Sequence, residues 1–144
     1  MKTRKTVVTI ALGVGVLFLL GSCVTTKTPL PTDNIDELVG TWVNTDYKIR
    51  PQKIVIDPDG IYISYKKIEY TTYSGTGTLE LIEKWIDSKG NIFCKIRFDR
   101  AGDLVYELDK ISNSGTVLEF VQSYKDYPTE INPNDLEYRI YYRQ

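Results

Sequence analysis

The stretch LVGTWVN, residues 38–44, marks the point at which strand-forming sequence begins. Its glycine and tryptophan, Gly40 and Trp42, are two positions apart, so both side-chain positions lie on the same face of a β-strand. The preceding residues, 33–38 (DNIDEL), combine capping residues with acidic ones and predict one short helical turn. A turn that leads into a strand with Gly-x-Trp is therefore the start of the folded domain.

The chain from Val39 onward predicts an all-β domain. Polar and apolar residues alternate with a period of two, Tyr, Ile, Val and Thr are abundant, and no segment has a helical stripe. Eight strands are predicted, at 39–47, 52–57, 60–70, 75–86, 91–98, 103–111, 116–124 and 136–143.

The connections between these strands differ at the two ends of an up-and-down arrangement. One end has tight turns that contain Gly or Asn, at 57–60 (DPDG), 87–91 (DSKGN) and 112–115 (SNSG). The longest connection, 125–135 (KDYPTEINPND), falls at the other end. This asymmetry is typical of a closed barrel with a narrow floor and an open mouth.

With its turn, strands and terminal arginine, the segment 33–144 resembles the lipocalin-like (calycin) families. In these families an arginine late on the last strand packs across the tryptophan of a Gly-x-Trp and closes the floor. Gly40, Trp42 and Arg143 match this pattern, and Arg139 is the alternative for the arginine. The resemblance implies an eight-stranded antiparallel up-and-down barrel, with cation–π stacking and guanidinium donors at the floor.

The N-terminus predicts a lipoprotein signal peptide over residues 1–22. A basic start (Lys2, Arg4 and Lys5) precedes an apolar run, 7–20, that is too short to span a bilayer comfortably. LGSC, residues 20–23, then resembles a bacterial lipobox. That resemblance implies a lipid-modified Cys23, carrying palmitate among its acyl chains, and hence a membrane partner.

Three segments follow from this interpretation: the signal peptide 1–22, the lipidated cysteine with a flexible Thr/Pro-rich tether 23–32, and the barrel domain 33–144. The lipobox implies location in the cell envelope. Val24, rather than Asp, after the cysteine favours the outer membrane if the cell is diderm. The alternatives are a plain secretory signal and an N-terminal membrane helix.

Charge and composition argue against several functions. Removal of 22 of the 144 residues takes away three of the 18 basic residues and none of the 19 acidic ones, so the net charge falls from −1 to −4. This balance is unlike that of nucleic-acid-binding proteins. The chain has no histidine, which removes the usual catalytic triads and His-metal sites. We therefore predict a protein that is not an enzyme and needs no metal or cofactor, and we expect a monomer.

Alternation also predicts a binding surface. Positions assigned to the inward face include Ile61, Ile63 and Tyr65, then Leu79, Leu81 and Trp85, then Leu104, Tyr106 and Leu108, and finally Ile140 and Tyr142. Those placed near the mouth are Tyr65, Phe98, Tyr106, Gln122, Tyr124 and Tyr138. Such a lining suits a small hydrophobic or amphipathic ligand. The alternatives are a fully filled barrel, and a non-enzymatic interaction module (an inhibitor or assembly factor) that uses its loops.

Overall fold

The fold comes from a computed structural model that describes residues 26–46, 51–68, 71–100 and 102–144. These residues form nine strands and one 3₁₀ turn, Asn113–Gly115. The strands are β1 (Thr28–Leu30), β2 (Gly40–Val43), β3 (Lys53–Ile56), β4 (Ile61–Ile68), β5 (Thr71–Ile86), β6 (Ile92–Arg100), β7 (Asp103–Ser112), β8 (Val117–Ser123) and β9 (Tyr138–Arg143).

The strands form one antiparallel sheet in the order β1-β5-β4-β3-β2-β9-β8-β7-β6. An additional pairing joins β6, at one end of this order, to β5, the second strand from the other end, so that β2 to β9 close into an eight-stranded barrel. The predicted fold class, an all-β antiparallel up-and-down barrel, is confirmed. The turn before β2 is also present, since the amides of Leu38 and Val39 both donate to the carbonyl of Ile35, at 2.8 and 3.2 Å.

β1 lies outside the closed barrel, on the edge of β5. Thr28 pairs with Ile86 and Leu30 with Lys84, at the floor end of β5. Pro29 suits an edge strand because it has no N–H to donate. These residues belong to the segment 23–32 that the sequence assigned to a flexible tether, so the chain joins the sheet before residue 33. Cys23 and the predicted signal peptide lie outside the described residues.

β5 pairs with its two barrel neighbours along different halves. Its first half, from Thr71 to Thr78, pairs with β4, and its second half, from Thr78 to Ile86, pairs with β6. Only Thr78 therefore has a partner on both of these strands. The part of β5 before Thr78, with its partners in β4, consequently extends beyond β6 and forms one wall of the open end.

The sequence assigned the wrong faces in β4. The buried residues of β4 are Tyr62 and Ser64, whereas Ile61 is 39% exposed. The register explains this difference, because Ser64 lies opposite the buried Ile54 of β3 and must share its face. Ile61, Ile63 and Tyr65 therefore face outward.

The faces of β5, β7 and β9 also need correction. A register shift between Leu81 and Glu83 in β5 turns Lys84 inward and Trp85 outward. β7 buries Val105, Glu107, Asp109 and Ile111, and β9 buries Tyr141 while Tyr142 is 45% exposed. Leu104 and Tyr106 of β7, and Ile140 of β9, alternate with these buried positions and therefore face outward, as does Leu108, which is buried on that face. Arg143 has the same parity as Tyr141 and lies opposite Trp42, so it faces inward without any distortion at the strand end.

Candidate functional site

The floor of the barrel is closed by Trp42 and Arg143. Trp42 is fully buried, and its indole N–H donates to the carbonyl of Leu38 at 2.8 Å. The guanidinium carbon of Arg143 lies 4.3 Å from the centre of the indole ring, a cation–π distance. Its Nη2, Nη1 and Nε donate to the carbonyls of Glu37, Val39 and Gly115, at 2.6, 2.7 and 2.7 Å.

Gly40 is required by this arrangement. A β-carbon at position 40 would stand 3.2 Å from Nη1 of Arg143, and the residue has a φ of +140°. Arg139, the alternative for the floor arginine, lies at the opposite end, where its Nη1 donates to the carbonyls of Leu136 and Tyr138.

Lys84 of β5 also stabilises the turn before β2, which closes the floor. Its side chain is 3% exposed, and its ammonium donates to the carbonyl and the Oδ1 of Asn34 and to Oε2 of Glu37, at 3.2, 3.1 and 3.0 Å. Sequence reasoning missed this residue because the register shift in β5 reverses its face. The turn before β2 is thus fixed by cations from two strands, β5 and β9.

Two carboxyl groups, Glu107 and Asp109, lie side by side in the barrel interior. They are 3% and 1% exposed, and Gln122 donates to Oε2 of Glu107 at 2.6 Å. Neither carboxyl oxygen of Asp109 accepts a hydrogen bond from the described residues. Burial raises the pKa of Glu107 to about 7, and burial with the neighbouring Glu107 also raises the pKa of Asp109. The pair therefore retains a proton well above the pH at which exposed carboxyl groups lose theirs.

A recess of about 520 Å³ occupies the mouth of the barrel. It is formed by residues of five strands, β4, β5, β6, β8 and β9, and of the chain next to them. Its lining consists of Pro51, Tyr62, Ser64, Lys66, Ser74, Gly75, Arg100, Gln122, Tyr124, Glu137 and Arg139. Three of these side chains are cationic and one is anionic, so the recess is positive although the chain as a whole is slightly negative.

The described side chains beneath the recess pack closely. A void of about 10 Å³ lies between Tyr62, Phe98 and Val105, which is room for a single water. The rings of Tyr62 and Phe98 pack 4.7 Å apart above the apolar core. Among the described residues, the recess at the mouth therefore offers far more space for a ligand than the void beneath it.

The predicted ligand-binding residues divide into two groups. Gln122 and Tyr124 line the recess, and Phe98 lies beneath it. The other three lie on the outer wall, which corrects their assignment: Tyr65 lies under the ammonium of Lys53 (4.4 Å), Tyr106 packs edge-on against Tyr127 (5.0 Å), and Tyr138 donates its hydroxyl to Glu119 (2.9 Å).

The cationic lining residues Lys66, Arg100 and Arg139 were absent from the predicted set. Lys66 shares the parity of Tyr62 and Ser64, and Arg139 shares that of Tyr141. Correct facing of β4 and β9 would therefore have identified both of them.

The loop between β8 and β9 packs in part on the outer wall. Tyr127 contacts Tyr106 of β7, and the ammonium of Lys95 of β6 lies 5.9 Å from the Tyr127 ring. Leu136 of the same loop is 91% exposed and Tyr124 is 62% exposed.

The thiol of Cys94 is buried in the core, and this burial raises its pKa. Within the described ranges, no group of three or more His, Cys, Asp or Glu residues is placed to hold a metal ion. In the same ranges there is no helix with the length and apolar character needed to cross a membrane.

Comparison with known proteins adds no relative to these observations. No protein-family model matches the chain, and no curated protein and no solved structure shows significant similarity to it.

Proposed function

We propose that this chain is a lipocalin-like envelope lipoprotein that binds a small amphipathic ligand in the recess at the mouth of its barrel. The observation that carries the proposal is the recess itself, about 520 Å³ in volume, above a core with room for only one water. Recesses of this size are typical of small-molecule sites.

The lining favours an amphipathic ligand over a purely hydrophobic one. Tyr62 and Tyr124 offer aromatic surface, while Ser64, Gln122 and the cationic residues offer hydrogen-bonding groups. A purely apolar ligand would leave these polar groups desolvated and without partners, which costs binding free energy.

A lipid on Cys23 would place the recess away from the membrane. β1 enters the sheet at the floor end, where Thr28 pairs with Ile86. The five residues from Cys23 to Thr28 span at most about 17 Å when fully extended. The floor end then stays near the bilayer, and the mouth faces the compartment from which a ligand arrives.

Native mass spectrometry tests the binding proposal on the full chain extracted in mild non-ionic detergent. We expect an adduct from the envelope whose mass fits a recess of this volume. Gly75→Phe, which places a ring in the recess, should remove it. Ile61→Phe, on the outer face of β4, is the matched control and should retain it.

A protein-interaction module remains the second candidate, because Leu136 is 91% exposed on the longest loop. Survival of the adduct in Gly75→Phe would contradict ligand binding in the recess, and absence of any adduct from the unmodified chain would contradict it and favour this alternative.

A further inference from the structure

We propose that the ligand carries an anionic group, a carboxylate or a phosphate monoester, held by Arg100 and Arg139 with Lys66 beside them. This inference rests on the proposed function and names the chemical class of the ligand. Its basis is the arrangement of charge around the recess.

The charge of the recess is opposite to that of the chain. The recess lining is cationic at Lys66, Arg100 and Arg139 and anionic at Glu137, whereas the whole sequence has 18 basic and 19 acidic residues. Like charges brought together around one cavity repel each other and raise the free energy of the empty site. A bound anion relieves that repulsion, and the surrounding walls strengthen the attraction relative to open solvent.

Arg100 has its guanidinium available for a ligand. It is the last residue of β6, next to the turn at the mouth, and it forms no hydrogen bond or ion pair with another residue in the described part of the chain. On the outer face of the same strand, Arg97 is instead paired with Glu80. Arginine presents a planar fork of donors that matches two oxygens of a carboxylate or phosphate.

The guanidinium of Arg139 is fixed by hydrogen bonds from Nη1, whereas its Nη2 makes a long contact. Its Nη1 donates to the carbonyls of Leu136 and Tyr138 at 2.7 and 2.8 Å, which fixes the plane of the guanidinium. Its Nη2 reaches Glu137 at 3.4 Å, which is long for a charge-assisted hydrogen bond. A ligand oxygen at ordinary distance would be a better partner for Nη2 than this carboxylate.

Gly75 leaves space next to Arg100. A β-carbon at position 75 would lie 3.1 Å from the hydroxyl of Ser64 and 3.9 Å from Nη2 of Arg100. The glycine thus keeps a side chain out of the volume between the hydroxyl and the guanidinium. That volume is where an anionic group would contact both.

The test compares matched aromatic probes, measured by isothermal titration calorimetry with the full chain in non-ionic detergent. 1-Naphthyl phosphate and 1-naphthoate carry the two anionic groups, 1-naphthylmethanol is neutral, and inorganic phosphate lacks the ring. We expect one or both aromatic anions to bind about tenfold or more tightly than the alcohol, with affinity that falls as salt is added.

Variants test whether the arginines of the recess cause the tighter binding of the anionic probes. Arg100→Gln and Arg139→Gln should each weaken binding of the preferred anion about tenfold and leave the alcohol unchanged. Arg97→Gln, on the outer face of β6, is the matched control and should change neither. The better of the two anions decides between a carboxylate and a phosphate.

The outcomes separate this inference from the proposed function. If the alcohol binds as tightly as the anions and Arg100→Gln has no effect, the anionic inference is wrong while ligand binding stands. If inorganic phosphate binds as tightly as naphthyl phosphate, the recess is an anion site and the amphipathic part of the proposed function is wrong. If no probe binds and no native adduct is found, both are overturned.

Discussion

Arg143 shows how one side chain determines the closed end of the barrel. Its guanidinium stacks on Trp42 and donates to three carbonyls that belong to the turn before β2 and to the connection before β8. These carbonyls belong to half-buried residues, so loss of the guanidinium would remove partly buried hydrogen bonds, which is costly. A lysine has a single ammonium and could not reach all three while covering the indole.

Loss of the indole should destabilise the protein without affecting the recess. Trp42→Ala removes a fully buried ring and the hydrogen bond to Leu38, so we expect the free energy of unfolding to fall by about 3–5 kcal/mol. Urea unfolding followed by circular dichroism measures this change. Titration of the folded variant with naphthyl phosphate should give an unchanged affinity, and a large loss of affinity would contradict the separation of floor and mouth.

At the scale of the element, β7 carries two carboxyl groups on the face that points into the apolar core of the barrel. Val105 and Ile111 face inward with Glu107 and Asp109 between them. Cross-strand neighbours bury the two carboxyl groups, and Gln122 gives Glu107 one partner. The pair is therefore neutral or singly charged over much of the physiological pH range.

This pair predicts a definite pH dependence of stability. The folded state keeps the pKa of Glu107 near about 7, above its ordinary value of 4.5, so the folded chain binds more protons than the unfolded chain between these values. Stability is then fully present below the ordinary value and decreases as pH rises through about 7, by on the order of 3 kcal/mol. Asp109 acts in the same direction.

Glu107→Gln should remove much of this dependence. An amide cannot ionise, and loss of the Glu107 charge also eases ionisation of Asp109. We expect urea unfolding between about pH 5 and about pH 8 to show a flatter curve and a more stable variant at the upper end. Glu80→Gln, on the exposed outer face, is the control. An unchanged slope in Glu107→Gln would contradict the assignment to this pair.

The strands were predictable from the sequence, whereas several of their faces were not. Turn residues and alternation located every barrel strand to within a few residues, because both depend on local backbone preference. Facing was assigned by placing apolar residues inside, and in β4 this rule fails because Ser64 is buried and Ile61 is not. The outer wall carries apolar side chains as well, so the polarity of a strand face does not show whether that face points into or out of the barrel.

The recess was predictable in place but not in chemistry. Its position at the mouth follows from the end with the longest loop, and two of the residues predicted near the mouth, Gln122 and Tyr124, line it. Its cationic character depends on residues from β4, β6 and β9 that only the register brings together. Pairing across a barrel is long-range information that a single strand does not contain.

At the scale of the whole molecule, the proposed lipid anchor is the feature that would set the orientation. We expect metabolic labelling with a fatty-acid analogue to mark the full chain and to fail for Cys23→Ala, because only the cysteine thiol can carry the diacylglycerol. Cys94→Ala is the control and should still be labelled, since that thiol is buried. Equal labelling of Cys23→Ala would disprove the anchor.

β1 has a mechanical consequence for an anchored barrel. Its chain runs from the floor toward the mouth, antiparallel to β5, so a pull from the membrane acts along the strand. Its three paired residues then share the force in shear instead of opening one after another. Lys27 strengthens this attachment through an ion pair with Glu83 and a position 3.8 Å above the Trp85 ring. Tension on the proposed lipid would thus be transmitted to the wall of the barrel first, and the turn that seals the floor would be shielded from it.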